Sequence, residues 1–523
     1  MSRIVFCLLA LTLAFSACAP AASVPSPYPT YDPFLPADGN SAPIQSVDIP
    51  PQPTRTPGPT PTRAPLSVTL PPPRDPNAPV LTPTPDALRS LPTPRKDAEQ
   101  YVVQSGDTLG KIAQQYGVSV ETLMQANSLA DPNLLTVGAT LDIPAPQPGE
   151  AGPSFKIIPD SELVYGPASA LFDVAGFVQS KAGYLSGYTE DVNGETLSAA
   201  QVITLAAQNY SVNPRLLLAL IEYKSGWVTK AEVSSTDYPL GFVEPNHTGL
   251  YHQLTWAANE LNRGFYLWRA NAVSTWVLAD GSVVPLDPTI NAGTAGVQNL
   301  FAQLDNQATW QADTQAFGFF QTYYFLFGNP FDLAIEPLLP MGLTQPRLSL
   351  PFGRGETWSF TGGPHGGWDD GSAWAALDFA PPGETAGCVQ NDSWVTAVAD
   401  GLIVRTGDGQ VIEDLDGDGY EQTGWVVLYM HVETRDRVEA GAYVFAGDHI
   451  GHPSCEGGIS NGTHVHLARK YNGEWIAADG SLPFNLDGWI SSGDGSVYDG
   501  FLTRGSQQVE AWDGVNDLNQ ITR

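Results

Sequence analysis

Between residues 100 and 145 the spacing of apolar positions changes three times. "YVV" opens as a short strand, and after "SGDT" the residues Leu109, Ile112, Ala113 and Tyr116 recur at helical spacing. "GV" ends that helix, Ser119 opens a second with Val120, Leu123 and Met124 on one face, and "GATLDIP" returns as a strand. The expected order is strand, helix, helix, strand. From 160 to 344 the period is mostly helical: "SAAQVITLAAQNYSVNPRLLLALIEYKSGW" carries long apolar periodicity, with a buried helix starting at Asn213-Pro214. "NAGTAGVQNLFAQL" and "FGFFQTYYFLFG" add further helices. From 345 to 500 short strands and turn dipeptides take over, most clearly in "SWVTAVADGLIVRTGDG" and "GWVVLYMHVETRDRV". The pattern predicts a multidomain chain with a small βααβ module, a mostly α middle domain and an all-β C-terminal domain.

At 523 residues several cores are expected rather than one. Residues 1 to 18 pair one basic residue with an apolar run and small residues, the pattern of a secretory signal, so an extracytoplasmic location is expected. "FSAC" resembles a bacterial lipobox, with Phe15 where Leu is usual, and implies a lipid anchor at Cys18 as the one membrane attachment. Residues 19 to 99, dense in Pro and Thr, cannot bury a core and are expected as a disordered stalk. A linker at 146 to 159 and a tail at 501 to 523 complete the division. Against 24 Lys and Arg stand 55 Asp and Glu, a net charge of −31 that removes any long-range attraction to nucleic acid. Nothing suggests more than a monomer. Cys388 and Cys455, the two cysteines beyond the signal, most simply form a disulfide in an oxidising compartment.

Two segments resemble known modules. Through "YVVQSGDTLGKIA", Asn127 and the closing "LDIP", residues 100 to 145 resemble a LysM module, which implies binding to glycans bearing N-acetylglucosamine, hence to peptidoglycan. "NPRLLLALIEYKSGW" and "NAGTAGV" resemble stretches of lytic transglycosylases and other lysozyme-like folds. That alignment puts Lys224 where the family keeps its acid Glu, while Glu222 falls on another side of the helix. Protonating a glycosidic oxygen needs a carboxylic acid, so a lysozyme-like domain without cleavage activity is expected over 160 to 344.

Six of the eight histidines lie between 365 and 466. In "NGTHVHLARK", His464 and His466 stand at i and i+2 of a strand, on one face and about 7 Å apart, with Val465 and Leu467 on the other. His365 comes from "GGPHGGW", Asp378 from "AALDFAP" between the small residues Ala376 and Ala380, and His431 from "VVLYMHV". A catalytic zinc site needs three protein ligands and an open position, and these segments can supply them. His449 and His452, in "GDHIGHPS", are expected in a surface turn. "DLDGDGYEQTGW", 414 to 425, opens like a calcium loop but has Trp425 at its twelfth position instead of Glu, so a hairpin tip is the safer reading. Trp358, Trp368 and Trp374 either wall the cleft or fill a core.

In this order "GGPH", "ALDFA", "LYMH" and "GTHVHLARK" resemble the lysostaphin-type, LytM-like zinc endopeptidases of peptidoglycan, built on a duplicated-hybrid-motif β-fold. His365 and Asp378 are thirteen residues apart, a spacing similar to the beta-lytic and staphylolysin branch. The resemblance implies zinc held by His365, Asp378 and His466, with His431 and His464 as the catalytic pair outside the ligand set. The resulting expectation is an exported zinc endopeptidase cutting stem or cross-bridge peptides while LysM holds the glycan. Its rival is an inactive wall-binding protein that activates or positions other hydrolases.

Overall fold

The computed structural model describes residues 86, 88–104, 107–383 and 387–523. The signal, Cys18 and most of the expected stalk lie outside them. Residues 88 to 98 are not free: Asp86 and Arg89 donate backbone hydrogen bonds to the carbonyls of Thr289 and Pro288, and Leu91 packs on the helical core. The stalk expected to run to 99 therefore stops short of that point. Among the described residues no helix is long and apolar enough to cross a membrane.

The first module pairs β1 (Glu99–Val102) with β2 (Thr140–Ile143) antiparallel, around α1 (Leu109–Gln115) and α2 (Val120–Asn127). Thr108 and Ser119 cap the two helices by accepting the amides of Lys111 and Thr122. Leu109, Ile112, Ala113 and Leu123, the positions that gave the helical period, form its core with Leu141 and Ile143. Asn127 locks helix to strand: its amide nitrogen donates to the carbonyls of Leu123 and Asp142, and its Oδ1 accepts from the Asp142 amide.

The middle domain is built on α3 (Ala199–Tyr210), α4 (Pro214–Ser225), α5 (Leu250–Arg269), α6 (Ala292–Ala302) and α7 (Phe319–Phe327). Ser198 and Gln201 form a capping box at α3, and Asn213 with Pro214 starts α4. The glycines of "NAGTAGV" serve packing. A Cβ on Gly296 would lie 2.7 Å from the Leu261 carbonyl, and one on Gly264 would lie 2.6 Å from that of Ala295, so α5 and α6 cross in contact only without them. Glu222 accepts from the amides of Val228 and Thr229 and from the Thr229 hydroxyl, closing the turn after α4. Lys224 pairs with the buried Asp305 at 3.5 Å. Both side chains are occupied locally.

The C-terminal sheet runs, in spatial order, from β8 (Tyr443–Val444) through β5 (Gly401–Gly407), β6 (Gln410–Asp414), β7 (Trp425–Met430), β9 (Val465–Tyr471), β4 (Ala376–Ala380) and β3 (Thr357–His365) to β10 (Gln520–Thr522). Its strands are antiparallel throughout. Residues 501 to 523, expected as a tail, are instead part of this fold, since β10 pairs with β3 and Ile521 is buried. Leu377, Phe379, Val427, Tyr429 and Leu467 face one core. Ala376, Ile412, Val426, Leu428 and Ala468 point the other way, into the core of the helical domain. The sheet is thus sandwiched, and Ala376 lies beneath helices. Trp358 is core, stacked on Phe352 at 5.0 Å. Trp368 sits against Tyr210 of α3. Of the surface turn expected at His449 and His452, only the exposure of His449 is found. His449 starts a short strand, and His452 is buried against Trp394 with its Nδ1 2.9 Å from the Ser393 carbonyl.

Candidate metal centre

Asp378 and His466 face each other across β4 and β9, and Met430 faces His466 across β7, so His431 falls one residue past the end of that strand. The β3–β4 register slips between Phe360 and Gly362 and again between Gly362 and His365. Such bulges re-aim a side chain, and here they bring His365 back over Asp378. Gly362 is opposite Asp378, where a Cβ would meet Oδ2 at 2.6 Å.

Three atoms converge. His365 Nε2 and His466 Nδ1 each lie 3.3 Å from Asp378 Oδ1, and 2.9 Å from one another. His365 Nδ1 is 2.8 Å from the Gly363 carbonyl and His466 Nε2 is 3.2 Å from that of Gly367. A carbonyl only accepts, so both of these nitrogens carry the proton, and the converging nitrogens present lone pairs. Two lone pairs and a carboxylate oxygen repel unless a cation sits among them. Asp378 Oδ1 is correspondingly a buried atom without a hydrogen-bond partner. A tetrahedral ion with ligands at about 2.0–2.1 Å has edges of about 3.3 Å, close to the separations here. The donor set fits zinc, and among the described residues it is one of two such groupings.

His431 and His464 stand outside it, their rings 4.5 Å apart. His464 Nδ1 lies 2.7 Å from the Gly462 carbonyl and its Nε2 3.7 Å from Asp378 Oδ1. His431 Nδ1 lies 3.0 Å from the Glu456 carbonyl. Burial, with His464 and His466 alongside, pushes His431 down to about 3, and burial also holds His466 below its ordinary value. Asp378 is the opposite case: burial works against its charge, but His365 and His464 keep it well below the usual carboxylate range. The site therefore combines an ionised carboxylate with a His431 ring that stays neutral at ordinary pH, while, against burial, Asp378 and the Gly363 carbonyl hold His365 above its ordinary value.

All five residues singled out from the sequence thus lie in one cluster. Sequence reasoning missed Tyr498, whose ring stacks on His365 at 4.3 Å from a hairpin with no distinguishing pattern. It also missed the orienting carbonyls of Gly363, Gly367, Glu456 and Gly462. The glycines flanking His365 and preceding His464 were the available signal. The second grouping, Asp414, Asp416 and Asp418, is the suspected calcium loop. There Asp414 accepts from the amides of Asp416, Gly417 and Gly419, which shapes the hairpin tip.

Comparison with known proteins gives two family matches, a LysM domain over residues 101–144 and the LasA N-terminal domain over 156–340. The chain is 24% identical over 362 residues to Protease LasA of Pseudomonas aeruginosa, covering 64% of this chain and 79% of that protease. It is 43% identical over 63 residues to the N-acetylmuramoyl-L-alanine amidase XlyA of Bacillus subtilis, 12% of this chain and 21% of the amidase. Among solved structures it is similar to Pseudoalterin, a deep-sea M23 metalloprotease, at 24% identity and a TM-score of 0.27, over 33% of this chain and 96% of that one. The lysostaphin catalytic domain of Staphylococcus simulans matches at 25% identity and a TM-score of 0.17, over 24% and 89%. With segments that match a LysM domain and the LasA N-terminal domain beside this cluster of imidazoles and carboxylate, the chain is similar to a LysM-bearing metalloendopeptidase of the lysostaphin type.

Proposed function

We propose that this chain is an extracytoplasmic zinc endopeptidase that hydrolyses peptide bonds in peptidoglycan stems or cross-bridges, held to the glycan by its LysM module. The observation that carries the reading is the convergence of His365 Nε2, His466 Nδ1 and Asp378 Oδ1 within 3.3 Å, lone pairs inward. On this reading His365, Asp378 and His466 hold the zinc ion. When bound, the ion supplies Lewis-acid polarisation of a peptide carbonyl and of water. The rest falls to the chain. With Nδ1–H of His431 and His464 engaged by carbonyls, Nε2 is the free lone pair on each ring. One of these imidazoles takes the proton of the attacking water, and one returns a proton to the departing amine. The ionised Asp378 keeps the cluster's charge low enough for a dication. LysM occupancy raises the local concentration of peptide without taking part in the step. The duplicated-hybrid-motif fold for 345 to 500 and the lysozyme-like fold for 160 to 344 belong to this same reading, as does lipid attachment at Cys18.

Murein zymography separates this from a non-enzymatic wall-binding protein. A clearing zone is expected from the full chain, lost on chelation, restored by zinc, and absent in His464→Ala, which leaves all three ligands in place. Clearing that survives both chelation and the substitution would refute the assignment.

A further inference from the structure

His431 and His464 sit at the ends of two strands, outside the pairing of the main sheet, with His464 in an antiparallel bridge to Ser454 and His431 at a left-handed φ of 64°. Such a conformation in a histidine costs energy and persists only when its surroundings impose it. The surroundings here are residues 454 to 456. Ser454 donates to the His431 carbonyl twice, from its amide at 2.7 Å and its hydroxyl at 2.9 Å. Its own carbonyl accepts the His464 amide at 3.3 Å. Glu456 offers its carbonyl to His431 Nδ1 at 3.0 Å. Its carboxylate ties down the chain just after His431, accepting the Thr434 amide at 2.8 Å and the Thr434 hydroxyl at 2.6 Å. Between these two residues, Cys455 is joined to Cys388. Either side of Cys388, Gly387 and Val389 bond to Thr463: the Gly387 carbonyl accepts its amide, and the Val389 amide and carbonyl meet its hydroxyl at 2.9 and 2.6 Å. Thr463 directly precedes His464. One closed circuit therefore runs from His431 through 454 to 456, the disulfide and Thr463 to His464; residues 454 to 456, the disulfide and Thr463 touch none of the three atoms that converge on the metal position, and the one approach to them is His464 Nε2, 3.7 Å from Asp378 Oδ1.

We propose that residues 454 to 456, closed by the Cys388–Cys455 bond, are a positioning device for the His431 and His464 imidazoles, governing proton transfer while leaving metal capture alone. Glu456 is its central positioning residue. This deepens the hydrolase reading and rests on it. Loss of an outer partner of this kind costs about 10- to 100-fold in activity.

The test compares wild type, Glu456→Ala, Glu456→Gln and the double variant Cys388→Ser/Cys455→Ser, all full-length. For each, zinc per chain, the melting temperature, and kcat and KM on a soluble cross-linked muropeptide are measured, together with the NMR signal of the His431 Nδ1 proton. Glu456→Ala and the double variant are expected to keep one zinc per chain and a KM within about twofold, while kcat falls about 10- to 100-fold. The Nδ1 proton signal should broaden or vanish in both. Glu456→Gln, which keeps one acceptor for the Thr434 amide, should recover part of the loss. Unchanged kcat with only a lowered melting temperature would reduce the circuit to a structural staple and overturn the proposal, as would parallel loss of zinc and kcat. Should the double variant not fold, Glu456→Ala decides. Should wild type cleave nothing, the hydrolase reading fails separately, and a Nδ1 signal persisting in Glu456→Ala would still refute the positioning role.

Discussion

Gly362 shows what the centre demands of a single residue. It lies opposite Asp378 in the β3–β4 ladder, where an added Cβ would sit 2.6 Å from Oδ2 and 3.0 Å from the Asp378 Cβ. The carboxylate would have to turn away, and Oδ1 would leave the point where His365 and His466 aim. Gly362→Ala is therefore expected to weaken zinc binding by about tenfold or more while the sheet still forms, because one ligand is displaced and none is removed. Competition against a chromophoric chelator reads the affinity, and far-ultraviolet circular dichroism reads the sheet. Unchanged affinity would mean that the ladder gives way more easily than the side chain. This position also marks the limit of the sequence. The five chemical residues were legible because His464 and His466 share a strand face and His365, Asp378 and His431 stand in distinctive surrounds. The need for glycine at 362, like the carbonyls that set the tautomers, arises from two register slips that no periodicity records.

At the scale of elements, the strands were legible by alternation, but alternation says only that two faces differ. In β6 both do. Val411 faces the peptidase core, Ile412 the helical domain, and Glu413 returns to the first side, fully buried with its Oε2 accepting from the Tyr429 hydroxyl. Burial, aided by Asp400 and Asp414, pushes Glu413 up from 4.5 to about 8. The raised value fixes the sign: the folded chain holds a proton that the unfolded chain releases. The stabilisation is complete below about pH 4.5 and is lost progressively until pH passes about 8. Across that window each unit of pH removes about 1.4 kcal/mol for one such proton. Asp414, also raised to about 8 by burial and by Asp416, adds to the slope. Glu413→Gln should remove about one proton's worth of it, leaving the variant more stable relative to wild type at pH 8 than at pH 5. Urea unfolding at pH 5, 6, 7 and 8 measures this, and parallel curves for the two proteins would count against a neutral Glu413. The calcium reading of 414 to 425 belongs to the same scale. The spacing brings Asp414, Asp416 and Asp418 together, and Asp414 also accepts from backbone amides of the loop.

Across the whole molecule, what the sequence did not disclose is that the helical domain and the sheet share a core. Helical periodicity and strand alternation each predict an apolar face and are silent on which faces meet. Here the face of β4 and β9 that carries Asp378 and His466 continues through Ala376, Ala468, Leu428, Val426 and Ile412 beneath the helices. Polar contacts surround that seam. Asp370, five residues beyond His365, accepts from Asn259 and Arg263 of α5 at 2.8 and 2.6 Å and from Lys111 of the LysM module at 2.9 Å. Arg263 and Lys111 hold the Asp370 carboxyl well below its ordinary range, outweighing partial burial. Arg269 pairs with Glu474 at 2.5 Å. The exposed Lys111–Asp370 pair adds little, and the desolvation of the buried Glu474 offsets much of its attraction to Arg269, so the buried apolar seam should dominate. The link between the domains passes through Met341, which is fully exposed, and a protease site placed there should be cut without unfolding either side. After the cut, the two parts of the otherwise native chain are expected to co-elute on gel filtration. With Leu428→Asp, which buries a carboxylate in the seam at a cost of about 3 kcal/mol or more, they should separate. Native halves that part at once would show that the covalent link had been holding the seam. Co-elution would instead mean that the covered face stays covered, so that in the intact chain a peptide reaches the centre from the side of Tyr498 and His464 and not across Leu428.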